Sequence, residues 1–276
     1  MSSSNKNLNT SKKEKYDEFY TLYEEIEKEM KHYTKYLEDK KIYCNCDSPR
    51  SNFYKYFKEN FHNLKLKKLT ISGFNIDGEE NSCIVEYDGL NEKITTIEGN
   101  TSYDNINVLP FLEEADIVIT NPPFSLFRDF VELLFTYKKD FIILGNFNAI
   151  TYKNIFPKIK ENELFFGSKI NESTWFETND NFKNPEKIKI KDGKKCIQVQ
   201  NITWFTTFKL ELQRVLKVKK GTDINKYIAE QYDNYNAKNY DKLQYLDKDD
   251  EGYMGVPITI LQYLNPDGYI YVEYEE

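Results

Sequence analysis

The sequence points to an α/β fold in which a mostly parallel sheet is covered by helices on both faces, followed by a smaller C-terminal α+β part. Three observations lead there. The apolar runs IYCNC (42–46), DIVIT (116–120) and FIILG (141–145) lack the polar alternation of a half-solvated strand, as suits strands buried on both faces. Helical periodicity accompanies them at 48–64, 105–114 and 124–137, the alternation that builds a parallel sheet. A length of 276 residues, 39% of them hydrophobic, provides one large domain with an appendage rather than two equal domains.

Residues 1–15 are mostly Ser, Asn and Lys with almost nothing to bury and are expected to form a disordered tail. From Tyr16 onward, Phe19, Leu22, Tyr23, Ile26, Met30, Tyr33 and Leu37 recur every three or four residues, a helical stripe. Thr21 with Glu24 matches a capping box that starts the helix after Phe19-Tyr20. IYCNC, Ser48-Pro49 and the pattern Phe53, Phe57, Phe61, Leu64 read as strand, tight turn and helix, with the proline in the helix's first turn. Residues 69–74 form a second strand, and 82–97 alternate as a hairpin. The βαβ region closes at 167, which gives a domain at 16–167. Beyond it the composition shifts to Lys, Asn and Asp around the strand-like 197–208 and the apolar 255–264, giving a second part at 168–276.

No run of about 18 apolar residues is present, and the N-terminus has no apolar core of a signal peptide; a soluble, intracellular, cytoplasmic protein without a membrane partner is expected. Cys44, Cys46, Cys83 and Cys196 form no CxxC pair, and His32 and His62 stand at no ligand spacing. Neither a metal site nor a disulfide framework is indicated, as suits a reducing compartment.

DIVIT is followed by Asn121-Pro122-Pro123-Phe124. This places an amide and two prolines at the tip of a buried strand, where open α/β sheets bind their ligands. As a plain loop, the prolines would stop the strand and Asn121 or Ser125 would cap the next helix. As a catalytic element, each residue has a task. An exocyclic amine on a planar base is a poor nucleophile because its lone pair is delocalised into the ring. Acceptors on both N–H bonds, the Asn121 side-chain oxygen and the Pro122 carbonyl, favour a pyramidal nitrogen with its lone pair aimed at an electrophile. The prolines fix φ and hold that carbonyl outward, and Phe124 stacks on the base.

With these residues the sequence resembles the S-adenosylmethionine-dependent adenine-N6 DNA methyltransferases, specifically the EcoRI-type modification methylases. The resemblance is carried by DEFYT (17–21), IYCNCDSPRSNFYKYF (42–57), ADIVITNPPFSLFRDFVELL (115–134), FIILGNFNAITYKNIFPKIKEN (141–162), NITWFTTF (201–208), YDNYNA (232–237) and YMGVPITILQYLNPDGY (253–269). It implies a Rossmann-like class I methyltransferase sheet, a cofactor-binding catalytic domain at 16–167 and a target-recognition part at 168–276. Asn121, Pro122, Pro123 and Phe124 become catalytic residues. Phe19, Tyr20 and Thr21 become the lining of the cofactor pocket, with Phe19 equally suited to the core. Asn45 and Asp47 join them, the acid binding the methionine amino group, although Asp47 also suits a helix cap. Asn121 belongs to this cofactor set as well.

The family's acidic string of the form GDGDFRS is replaced here by Gly99 to Asn105, where Tyr103 offers a stacking face and Asn100 or Ser102 a polar contact. After LTISGF the first acid is Asp77, so the ribose contact has no assigned residue. Phe127 resembles a pocket wall and Arg128 a phosphate contact or a solvated cation. The resemblance further implies base flipping, direct in-line transfer, double-stranded DNA as partner, a cognate restriction endonuclease acting on the same site, and a monomer. RNA adenine or a protein glutamine amide would pose the same nucleophile problem, and a catalytically inactive nucleic-acid-binding relative is the third reading.

The net charge of −7 speaks against a nucleic-acid partner only as an average. Residues 183–220 carry eleven basic and three acidic side chains, +8, which leaves −15 for the remainder. Lys189, Lys191, Lys194 and Lys195 in this band are the expected DNA-binding residues.

Overall fold

Residues 20–74, 82–97, 101–178, 188–191, 193–219 and 229–275 are described by the computed structural model. They divide after Leu210 into two compact units, Met1–Leu210 and Glu211–Glu276.

The first unit carries β1 (Tyr20–Thr21), α1 (Tyr23–Met30), α2 (Thr34–Leu37), β2 (Lys41–Cys44), α3 (Asn52–Glu59), β3 (Lys68–Phe74), β4 (Ser82–Tyr87) and β5 (Glu92–Ile97). There follow α4 (Leu109–Glu114), β6 (Ile117–Thr120), α5 (Phe127–Thr136), β7 (Asp140–Asn146), α6 (Phe156–Lys160), β8 (Phe165–Phe166), β9 (Glu172–Glu177), β10 (Ile188–Lys191) and β11 (Lys194–Thr206). One sheet runs in the order β1-β9-β11-β7-β6-β2-β3-β4-β5, with β8 and β10 also paired to β11. Its centre, β3-β2-β6-β7, is parallel. Antiparallel strands extend it on both sides, β4 and β5 beyond β3, and β11, β9 and β1 beyond β7.

Every residue of β6 is buried, and so are Phe141 to Leu144 of β7, which explains why these strands read as unbroken apolar runs. In α5, Phe127, Phe130, Val131 and Leu134 are buried, the 0, 3, 4, 7 spacing of a helix face turned to a sheet. The hairpin at 82–97 turns at Gly89, whose φ of +97° suits glycine, while Asp88 Oδ1 accepts from the amides of Leu90 and Asn91. The α1 stripe ends on a buried carboxylate: Glu29 accepts from Tyr33 Oη at 2.9 Å, Ser168 N at 2.8 Å and Ser168 Oγ at 2.5 Å. This ties α1 to the connection between β8 and β9, and burial holds the Glu29 carboxyl above the usual carboxylate range.

Three local expectations are corrected. Thr21 is no helix cap; it stands in β1 opposite Phe176, and α1 begins after Leu22 without a side-chain cap. Pro49 lies ahead of α3 rather than in its first turn. Ser51 is the cap, its hydroxyl accepting from Tyr54 N at 3.1 Å. Neither Asn121 nor Ser125 caps α5, whose N-cap is Leu126. The division after Leu210 also differs from a boundary at 167. The ladders of β9 and β11, and of β11 with β7 over Ile202–Thr206, build Glu172–Glu177 and Lys194–Thr206 into the main sheet.

The second unit pairs β12 (Val215–Lys219) in parallel with β16 (Tyr271–Glu275) and forms a small sheet from β13 (Glu230–Gln231), β14 (Lys238–Asn239) and β15 (Met254–Gly255). Its core is Leu216, Val218, Tyr240 and Leu246. Asn265 is buried and locks the C-terminal string to the unit's start, accepting from Arg214 N at 2.7 Å and donating to Arg214 O at 2.8 Å.

Candidate active site

The site grows out of the sheet's order. The connection after β2 leads to β3 on one side, while β6, on the other side of β2, leads away to β7. Neighbouring strands whose connections diverge leave a crevice at their carboxyl ends. Asn45 and Asp47 follow β2, and Asn121 follows β6, so the residues singled out in the sequence meet at this switch point.

Across the two strand tips, Thr120 Oγ1 donates to Asp47 Oδ2 at 2.7 Å. Asp47 is 7% exposed, and burial pushes its carboxyl up to about 7 against the opposing pull of Thr120 and Ser51. Among the described residues, the groups that hold its charged form are thus two hydroxyls and no cationic side chain. Gly73 on β3 makes room for this loop: a Cβ there would lie 2.5 Å from the Asp47 carbonyl oxygen. Asn45 Nδ2 and Thr21 Oγ1 are buried without a hydrogen-bond partner, although the Thr21 carbonyl accepts from Asn52 Nδ2 at 2.8 Å. Leaving such atoms without a partner is costly. A ligand carrying an ammonium group and hydrogen-bonding edges could satisfy all three residues.

In the tetrapeptide, Pro122 is buried and Asn121, Pro123 and Phe124 are partly buried. The turn's own hydrogen bond uses the Pro123 carbonyl, which accepts from Leu126 N at 2.9 Å. The Phe124 ring meets the fully buried Phe176 of β9 edge-on, with centroids 6.4 Å apart at 79°. Phe176 stands opposite Thr21 in the ladder, so both side chains leave the same face of the sheet. Thr174, two residues along, shares that face, and its buried hydroxyl also lacks a partner. Phe176, Thr174 and Thr120 were missed in the sequence. The alternation in Glu172–Glu177, with Thr174 and Phe176 buried between half-buried neighbours, was a usable signal.

The chain matches the family model "Adenine-specific methyltransferase EcoRI" over residues 7–276. It belongs to the EcoRI adenine-specific methyltransferase family. Relatives include the Type II methyltransferase M.MpnI of Mycoplasma pneumoniae, 40% identical over 265 residues, covering 94% of this chain and 82% of that protein. The Type II methyltransferase M.EcoRI of Escherichia coli is 36% identical over 298 residues, covering 99% and 90%. M.MgeORF184P of Mycoplasma genitalium is 36% identical over 265 residues, covering 94% and 83%. No solved structure matches. An EcoRI-family methylase takes its methyl group from S-adenosylmethionine.

The other residues singled out in this EcoRI-family chain fall as follows. Tyr20 is partly buried in β1. Tyr103 packs edge-on against Phe130, centroids 5.2 Å apart. Burial raises its phenol, and Asp104, Asp129 and Cys46 add to the shift, which places it beside the loop after β2. Ser102 is exposed and donates to Asp104 at 2.6 Å. Phe127 is a buried core residue rather than a pocket wall: its ring packs at a tilt against Phe205, centroids 5.0 Å apart at 53°, and against Gly145. Arg128 is exposed and pairs with Asp129 at 3.1 Å. Lys189 and Lys191 of β10 hold their ammonium groups 5.3 and 4.5 Å from the Trp175 ring centre, within cation–π range, while Lys194 pairs with Glu177 at 2.7 Å. Lys195 is partly buried. Phe19, Asn100, Asp77, Lys183 and Lys187 lie outside the described residues. So does the proposed tail at 1–15.

Proposed function

We propose that this methyltransferase transfers the methyl group of S-adenosylmethionine to the N6 amine of adenine in a specific sequence of double-stranded DNA, on a base turned out of the duplex, by direct in-line displacement. The observation that carries the reading is the placement of Asn121-Pro122-Pro123-Phe124 at the tip of β6, next to the buried Asp47 at the tip of β2. Relatives named Type II methyltransferases support it.

In this reading Asp47 binds the amino group of the cofactor's methionine part. Thr21, Asn45 and Asn121 supply hydrogen bonds, and Tyr20 and Tyr103 supply aromatic walls. The cofactor supplies an electrophilic methyl group on a sulfonium. The Asn121 side-chain oxygen and the Pro122 carbonyl accept from the two N–H bonds of the adenine amine, which turns its lone pair out of conjugation. Phe124, braced edge-on by Phe176, stacks on the base. The amine proton leaves to solvent after transfer, so no covalent enzyme intermediate and no strong base are required. Lys189, Lys191, Lys194, Lys195 and Arg128 contact the DNA backbone.

Radiolabelled methyl transfer from S-adenosylmethionine to duplex DNA, RNA and bulk protein tests the reading. Incorporation into duplex DNA that is recovered as N6-methyladenine supports it. Incorporation confined to RNA or protein, or none in any polymer while cofactor binds, contradicts it.

A further inference from the structure

The contact between the tips of β2 and β6 suggests a further role, resting on the reading of Asp47 as the cofactor's ammonium ligand. Thr120 is the last residue of β6, fully buried, and its backbone runs directly into Asn121. Its hydroxyl donates to the Asp47 carboxylate at 2.7 Å and also meets the Cys46 thiol. The loop carrying Asp47 is itself fixed, because its backbone rests on Gly73 of β3 and Ser51 caps the helix that follows. The acid that would meet the cofactor and the amide that would meet the acceptor amine are therefore joined through a single side chain. The geometry points to Thr120 as a positioning residue that couples the two halves of the site: cofactor bound at Asp47 orders the Asn121–Phe124 loop for the adenine amine.

The physical basis is the change in the Asp47–Thr120 bond when a cation arrives. The groups around Asp47 are Thr120 from β6, Ser51 at the cap of α3, the Gly73 backbone from β3, and Cys44 and Cys46 of its own strand and loop, whose thiols are raised first by burial and further by Asp47. An ammonium partner keeps the carboxylate ionised, and a hydroxyl bonded to an ionised acceptor is held more strongly than one bonded to a neutral acid. Thr120 is then pinned, and with it the φ and ψ of the strand's last residue before Asn121. Occupancy of one site is thereby communicated to the other through a named bond.

Hydrogen exchange at the amides of Asn121, Phe124, Ser125 and Leu126, the residues of this loop that carry an N–H, measured with and without saturating S-adenosylmethionine, tests this. In the native protein the cofactor should slow exchange in this segment. In Thr120→Val, nearly isosteric but without the hydroxyl, the cofactor-dependent protection should be lost and cofactor affinity should fall about tenfold, the size of a hydrogen bond to a charged group. Thr120→Ser should restore both, and melting of the cofactor-free variants reports their folding. Protection retained in Thr120→Val at saturating cofactor overturns the coupling, whatever the affinity. Asp47→Asn separates the two ideas: native cofactor affinity in that variant refutes the ammonium reading itself. Weakened affinity there, with Thr120→Val still protected, refutes only the coupling.

Discussion

The ring of Phe124 lies edge-on to that of Phe176, centroids 6.4 Å apart, and so joins the loop after β6 to a strand more than fifty residues further along the chain. The pair fixes the orientation of the one aromatic side chain in the tetrapeptide. Phe176 is fully buried and Phe124 only partly so, which makes Phe176 the brace and Phe124 the free face. Phe124→Ala should lower kcat/KM for DNA by about 10- to 100-fold, as the loss of one base–aromatic stack of about 1–3 kcal/mol requires, with little change in melting temperature. Phe176→Leu, a milder core change of about 1–1.5 kcal/mol, should lower both stability and activity. Steady-state kinetics and thermal melting on the two variants read this directly.

In the proposed mechanism Asn121 is the residue whose chemistry no neighbour replaces. Asn121→Ala should abolish methyl transfer by about three orders of magnitude or more, comparable with removal of a preorganised polar contact in other active sites, while the far-ultraviolet circular dichroism and melting curve stay native. A variant with native kcat would remove the tetrapeptide from the mechanism.

Asp47 gives the site a pH signature. Its carboxyl is raised from 3.8 to about 7 in the folded chain, so between these values the native state binds more protons than the unfolded state. Its contribution to stability is therefore lost as pH rises through that window. Glu29, also raised by burial, acts in the same direction. The difference between native protein and Asp47→Asn isolates the first group. Without cofactor, Asp47→Asn should melt higher than the native protein near pH 8 and converge with it near pH 4. Cofactor affinity of the native protein should rise with pH through about 7, as the acid ionises, and that rise should vanish in the variant. Calorimetric titration between pH 5.5 and 8.5 measures it.

The basic hairpin makes a graded expectation. Lys194 is already paired with Glu177, whereas Lys189 and Lys191 sit over Trp175. Reversal of Lys189 and Lys191 should weaken DNA binding more than reversal of Lys194. Reversing all four lysines should flatten the salt dependence by up to about one unit of slope per lost phosphate contact, with cofactor binding unchanged. The chain has two tryptophans, and Trp204 is buried in the core. In Trp204→Phe, the emission of Trp175 alone should change when duplex DNA is added. Unaltered emission and an unaltered salt slope would take this hairpin out of the interface.

The central sheet was legible because its strands are buried on both faces. IYCNC, DIVIT and FIILG announce β2, β6 and β7, and the positions of Asp47 and Asn121 just beyond β2 and β6 follow directly from the strands that precede them. The remainder depended on pairing. Nothing local marks Thr21 as a strand residue opposite Phe176, since its spacing to Glu24 satisfies the helix-capping pattern equally well, and only a partner about 155 residues away decides the competition. For the same reason 172–206, polar and lysine-rich in sequence, reads as a separate part although β11 completes the main sheet beside β7. Phe127 satisfied the sequence pattern of a pocket residue, yet the Gly145 gap in β7 receives its ring.

The most direct test of the whole reading is single-molecule sequencing of DNA from cells expressing the native chain or Asn121→Ala. The expected result is N6-methyladenine at one recurring sequence in the first and none above background in the second. Native-like methylation in the Asn121→Ala cells, or no modified adenine with the native chain folded and able to bind cofactor, would contradict it.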